Sequence, residues 1–280
     1  MRLAAIWIVA ARTLLLLALA IRVQADEPPT AVRLAGTRWV NPTADEAQML
    51  AWADAQHDVN QASGRQLGEA ERAELAETLA KAAAPMGRSV PWTSVLDRQR
   101  IQHIDGGEDF RARADGEGLF AKIEHANRTA QVMALAFKRQ REASLFGVGV
   151  RTLTFVSVDG EPERTIFGLP CRAYDVSGNG AGRVWIHVPP AARIAVIREL
   201  VANATRTFGR LDAEPIYAAA VQLGGIPVLG RIDGTELPAF TGNSVGRRIV
   251  LACWTIEDAT LADADTAVPD GYAQKHIPPR

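Results

Sequence analysis

Two hydrophobic periods divide this chain. Met49, Trp52 and Val59 fall at helical spacing, and Leu75, Leu79, Ala82 and Met86 do so again. Thr43 with Glu46 three residues later forms a capping box that opens the first helix, which runs to Ala62 and stops at Ser63-Gly64. The second spans Gly68 to Ala84; Glu69, Glu71, Glu74 and Glu77 suit the positive end of its dipole, and Pro85 and Gly87 end it. Beyond Pro91 the period shortens to two.

From Gln99 to Val158 short runs are separated by Asp-Gly pairs at Asp105, Asp115 and Asp159, with another at Asp233. Asp-Gly between alternating runs marks a hairpin, because both residues tolerate positive φ. The runs are Arg100 to Ile104, Glu108 to Ala114, Gly118 to His125, Thr129 to Phe137, Gly147 to Val158 and Glu163 to Phe167. Gly168 to Val188 adds two strands around a glycine-rich turn. Pro189-Pro190 then starts a helix carrying Ile194, Ile197, Leu200 and Val201, and Pro215 opens a shorter one to Leu223. Strands resume at Ile226 to Ile232 and Arg247 to Ile256. Ala267 to Tyr272 reads as an ordered end piece, and Pro278-Pro279-Arg280 as a frayed tail. Asp26 to Val40 reads as an extended lead-in.

This order predicts an α+β fold: a curved antiparallel sheet, half-barrel in form, covered by helices and preceded by a helical hairpin. A strongly twisted sheet of about eight to ten strands tends to curl. The expected division is a signal peptide at 1–25, lead-in and hairpin at 26–96, and the sheet domain at 97–280.

The ends change that picture only at the start. Arg2, an apolar run from Leu14 to Ile21 and Ala25 describe a cleaved secretory signal. The run is well short of the roughly 20 residues that span a bilayer. Cleavage after Ala25 leaves about 255 residues, enough for one large domain or two small ones, in the periplasm. With 31 basic and 32 acidic residues, no overall charge favours nucleic acid or anionic lipid. Two cysteines in an exported chain, Cys171 and Cys253, predict one disulfide. Closing a loop of about 80 residues would contribute on the order of 4 kcal/mol in the chain-entropy account. The other reading is two buried thiols.

Gly168-Leu-Pro-Cys-Arg-Ala-Tyr174 with Arg183-Val-Trp185, Gly225-Ile-Pro-Val228 and Val268-Pro-Asp-Gly-Tyr272 resembles an uncharacterised domain family of exported bacterial proteins. Its recurring pieces are a G-x-x-C-x-x-Y … V-W hairpin, a G-I-P-V strand and a closing V-P-x-G-Y. The likeness runs from Gln99 to Tyr272, and the helical hairpin before it departs from the family pattern. The resemblance implies a shape similar to half-barrel lipoprotein carriers of the Gram-negative periplasm, which shield acyl chains between a curved sheet and covering helices. Fold alone does not carry function.

Catalytic signatures fail on context. Gly242-Asn-Ser-Val-Gly246 has the spacing of a nucleophile elbow, but a strand follows where a helix is required, so Ser244 reads as a turn residue. Ser177 to Gly182 leads into a strand, which excludes a phosphate-cradling loop. A metal site assembled from His103, Glu124 and His125 on neighbouring strands is conceivable, but solvent-facing or hydrogen-bonded histidines are the default and no metal or cofactor is expected. Leu153, Phe155, Val184, Ile186, Ile249 and Leu251 are the candidate lining of a hydrophobic ligand cavity, with core packing as the plainer reading. The expectation is a non-enzymatic periplasmic binder of a lipid or other hydrophobic ligand. The alternatives are an envelope assembly module docking through the helical hairpin, and a serine hydrolase using Ser244. No nucleic-acid partner and no membrane span after signal cleavage are expected.

Overall fold

The computed structural model describes residues 31–278 except 41, 64, 66, 115–117, 139–152, 179, 209–214 and 235–247. The segment expected as a signal peptide, Asp115-Gly116, the first part of the run from Gly147, and Ser244 with its flanking glycines lie outside the described residues, as does the side chain of Ile249.

The protein is a mixed α/β fold dominated by one large, curved, unclosed sheet with a few helices. The chain opens with strand β1 (Ala31–Val40), then helices α1 (Glu46–Ala62) and α2 (Glu69–Ala83). A meander follows: β2 (Ser89–Asp97), β3 (Arg100–Asp105), β4 (Glu108–Arg113), β5 (Leu119–Glu124) and β6 (Thr129–Ala134). At the far side lie β7 (Thr154–Ser157), β8 (Arg164–Ile166), β9 (Leu169–Ser177) and β10 (Gly180–His187). Helices α3 (Ala191–Phe208) and α4 (Pro215–Leu223) precede β11 (Ile226–Gly234) and β12 (Arg248–Ala259); α5 (Asp263–Thr266) and β13 (Ala273–His276) close the chain. The path runs β13-β6-β5-β4-β3-β2-β1-β12-β11-β10-β9-β7, with β8 also on β9. All pairings are antiparallel except β13 on β6.

The segment expected as a lead-in is therefore the seam of the sheet. β1 pairs β2 on one side and β12 on the other, so it joins the two meanders. Its apolar alternation is interrupted by Arg33 and Arg38, which pair with Glu257 and Asp105. It is interrupted too at Gly36, where a Cβ would sit 1.9 Å from the Ala252 carbonyl oxygen. There the register skips Trp254, an extra residue that bulges toward α1.

The hairpins follow the turn signals. Gly106 and Gly107, both at positive φ, turn β3 into β4, and Phe167-Gly168 at φ 52° and 78° turn β8 into β9. Gly168 to Val188 is the expected hairpin, β9 on β10. The first helix cap sits two residues later than expected. Asp45 is the N-cap, its carboxylate accepting from Gln48 N at 2.8 Å while Gln48 accepts from Asp45 N at 2.9 Å. Thr43 instead donates to the Pro85 carbonyl, and Glu46 accepts from the Trp185 indole.

Strand parity sorts the core into two layers. On one face α3 and α4 cover Val32, Leu34, Leu96, Ile101, Val184 and Ile186. On the other, α1 lays Met49 and Trp52 on Trp39, Trp185, Val250 and Ala252. Among the described residues no helix is long and apolar enough to cross a membrane.

The expected disulfide is not formed. Cys171 and Cys253 are both buried free thiols. Cys171 belongs to the layer under α1 and Cys253 to the layer under α3. Two strands, β10 and β11, also separate β9 from β12. Three strand spacings amount to roughly 14 Å, against the ~7 Å limit on Cα separation that a disulfide allows. Burial pushes each thiol up to about 12.

Candidate functional site

The face under α3 and α4 carries the candidate site. Leu153, Phe155, Val184 and Ile186, four of the six expected lining residues, come together with Val176 and Ile232 beneath Ala218 and Ala219 of α4. Short alanine side chains let the α4 backbone approach the strands, and the Gln222 side-chain amide donates to the Leu153 carbonyl. Leu251 is buried and shares this face with Cys253 by parity. The assembled group is a packed layer, as the plainer reading expects.

The same face continues across β1 to β5. Phe110 and Phe120 lie with ring centroids 6.3 Å apart. Lys122 Nζ stands 5.7 Å from the Phe110 centroid, and Lys138 Nζ 5.0 Å from that of Phe120. Charged pairs line the end of this floor. Arg38 donates to both Asp105 oxygens, at 3.0 and 2.5 Å, and Lys122 Nζ lies 2.5 Å from Glu108 Oε1. Burial pushes the Asp105 carboxyl up, while Arg38 pulls it back. Burial, then the Arg38 charge, push the His103 imidazole down to about 4 against an opposing pull from Asp109. His103 is thus a neutral group near pH 7.

The structure separates the three residues considered as a conceivable metal site. His103 is the register partner of Phe110, on the α3 face. Glu124 accepts from the Thr129 hydroxyl, and His125 turns to the opposite face. Among the described residues no group of three His, Cys, Asp or Glu side chains forms a metal cluster.

Sequence reasoning missed the constellation that His125 joins. Arg111 donates through Nε and a terminal nitrogen to Asp109 Oδ2, at 3.0 and 2.8 Å. Its remaining nitrogen reaches the Ala267 carbonyl at 2.7 Å and that of Ala264 at 3.3 Å. His125 Nε2 lies 3.1 Å from the same carboxylate oxygen, and Nδ1 lies 2.9 Å from Tyr272 Oη. An ionised carboxylate only accepts, so Nε2 carries the proton and, in the neutral ring, Nδ1 accepts from the phenol. Asp109 is 1% exposed, and its fork partner Arg111 keeps the charge compensated. The available signal was Asp109-x-Arg111, an acid and a base two apart on one strand face.

Among the described residues the exposed large hydrophobics are Ile104, Val156, Val188 and Val221, none of them on α1 or α2. The described chain after the Gly-x-Ser-x-Gly segment begins with β12 at Arg248, a strand rather than the helix a nucleophile elbow needs.

Neither a family model nor a curated protein matches the chain. A solved structure of a DUF1329 family protein from Desulfovibrio piger is similar over 89% of this chain and 95% of its own. The identity is 7% and the TM-score 0.29, too low to carry an argument about this protein.

Proposed function

We propose that this is an exported, non-enzymatic periplasmic protein that binds a hydrophobic, acyl-chain-like ligand between a half-barrel sheet and α3–α4. The observation that carries the reading is an extended apolar floor with an aromatic end. The apolar floor runs from β9 through β12 and β1 to β5. Eight strand spacings make it roughly 40 Å wide. Phe110 and Phe120 within it are 4% and 8% exposed, so the ligand would lie between the floor and its cover. An aromatic floor bearing Phe110 and Phe120, with ammonium groups at its margin, suits a chain-like apolar ligand with a polar end. The absence of exposed large hydrophobics from the described parts of the helical pair weighs against the assembly-module alternative.

Native mass spectrometry of the purified mature protein tests this. The expected result is a co-purifying apolar ligand, or uptake of a fluorescent fatty acid by the stripped protein. Bare protein alone, with no uptake, would overturn the proposal.

A further inference from the structure

We infer that the C-terminal segment from Ala262 to Ile277 is a strap that opens while the rest of the sheet stays folded, and that His125 and Arg111 are its lock. The strap leaves β12 near the middle of the sheet, where Leu261 packs with Ala31 and Val95, and crosses β3 and β4 to reach the far edge. There β13 adds to β6 as the one parallel pair of the described sheet, only four residues long and exposed along its whole length. Parallel pairing is slightly weaker per residue than antiparallel.

What holds the strap is mostly polar. Arg111 donates to the carbonyls of Ala264 and Ala267, Arg100 pairs with the exposed Asp263 at 2.6 Å, and Tyr272 bonds His125 at 2.9 Å. Backbone bonds from Ala273 N to Arg128 O and from Ile277 N to Val132 O bracket β13. From the strap, Val268 and Tyr272, both half-buried, pack on the apolar strip of Ala121, Ile123, Ala130 and Val132, beside Leu119 of β5. Water can replace the exposed Arg100–Asp263 and His125–Tyr272 anchors when the strap lifts, and its own apolar side chains on the strip are half-buried, so local opening costs far less than unfolding the sheet. The anchoring side chains all belong to β3, β4 and the β5–β6 turn, which stay in place. Opening uncovers that apolar strip and leaves β6 with an unpaired edge, the usual template for adding another strand. Closed, the strap blocks it, and Lys275 puts a charge on the new edge.

The phenol matters as a hydrogen-bonding group, because Tyr272→Phe keeps the ring that packs on the strip. Amide hydrogen exchange on the full mature chain tests the inference, comparing β13 and β6 with β1. The expected result is exchange at least about tenfold faster at the strap than in β1. Tyr272→Phe is expected to add about fivefold at the strap and leave β1 unchanged. Strap amides exchanging at the β1 rate, or a Tyr272→Phe effect that is nil or equal in both regions, would overturn it.

Discussion

One face of the sheet carries two covers built on different physics. Over β9 to β12 and β1, α1 inserts Trp52, 3% exposed, among Trp39, Phe167 and Trp254 at centroid distances of 4.5, 5.8 and 6.2 Å. Over β3 to β6 the strap brings two half-buried apolar side chains and a set of hydrogen bonds. The first cover gains its free energy from apolar area removed from water, at about 25 cal/mol per Å². Lifting it exposes the aromatic cluster all at once. The second exchanges its main contacts with water nearly evenly. A single face thus supports a permanent cover and a releasable one, and the choice lies in what the covering segment buries.

The largest expected effect lies on the permanent side. Trp52→Ala removes the ring at the centre of the cluster and should cost about 3–5 kcal/mol of global stability, measured by urea unfolding. A loss under ~1 kcal/mol would break the contrast, because α1 would then be held no more firmly than the strap.

Acidification acts on the shared sheet and should weaken both halves together. His103 is held neutral in the folded protein, at about 4, whereas the unfolded chain takes up its proton near 6.5. The unfolded state therefore binds more protons between these values, and stability from this group is lost as pH falls from about 6.5 to about 4. Urea midpoints followed across that window should decline, and His103→Gln should flatten the decline. An unchanged slope in the variant would remove His103 as the cause.

The smallest expected effect is none at all. Cys171 lies beneath the α1 layer as a thiol pushed up to about 12 by burial, so alkylation should leave it unmodified in the time the strap amides exchange. Denaturation without reductant should then yield two adducts per chain, one at each free thiol. A native adduct at Cys171 would place α1 among the covers that open, and a denatured chain without adducts would restore the disulfide.

Much of the fold was legible where the signal is local. Asp105-Gly106 and the Gly168 to Val188 hairpin read correctly because turn chemistry and alternation agree within a few residues. The helix cap slipped from Thr43 to Asp45 because both offer a side-chain oxygen with a partner three residues on, and packing of Glu46 on Trp185 decides between them. β1 was missed because its two arginines and Gly36 hide the alternation, and their partners Glu257, Asp105 and Ala252 are remote in the chain. Four of the six candidate lining residues, Leu153, Phe155, Val184 and Ile186, were legible as sharing one face, and the structure packs them into one core layer. Their packing against Ala218 and Ala219 was not, because α4 is brought there by tertiary contacts alone.

By itself the sequence determined helices α1 to α4, the strands from β3 to β12 and several of their turns, which are set within a turn or a pleat, while β1, β2 and β13 were not read as strands. Tertiary structure alone decided which strand sits at the seam, which face each cysteine meets, and which carbonyls Arg111 finds. Parity places Cys171 and Cys253 each on one side of its own strand; only the pairing of β9, β10, β11 and β12 turns those sides to opposite faces of the sheet. Local rules fix directions along one segment, and relating two segments requires the contacts between them.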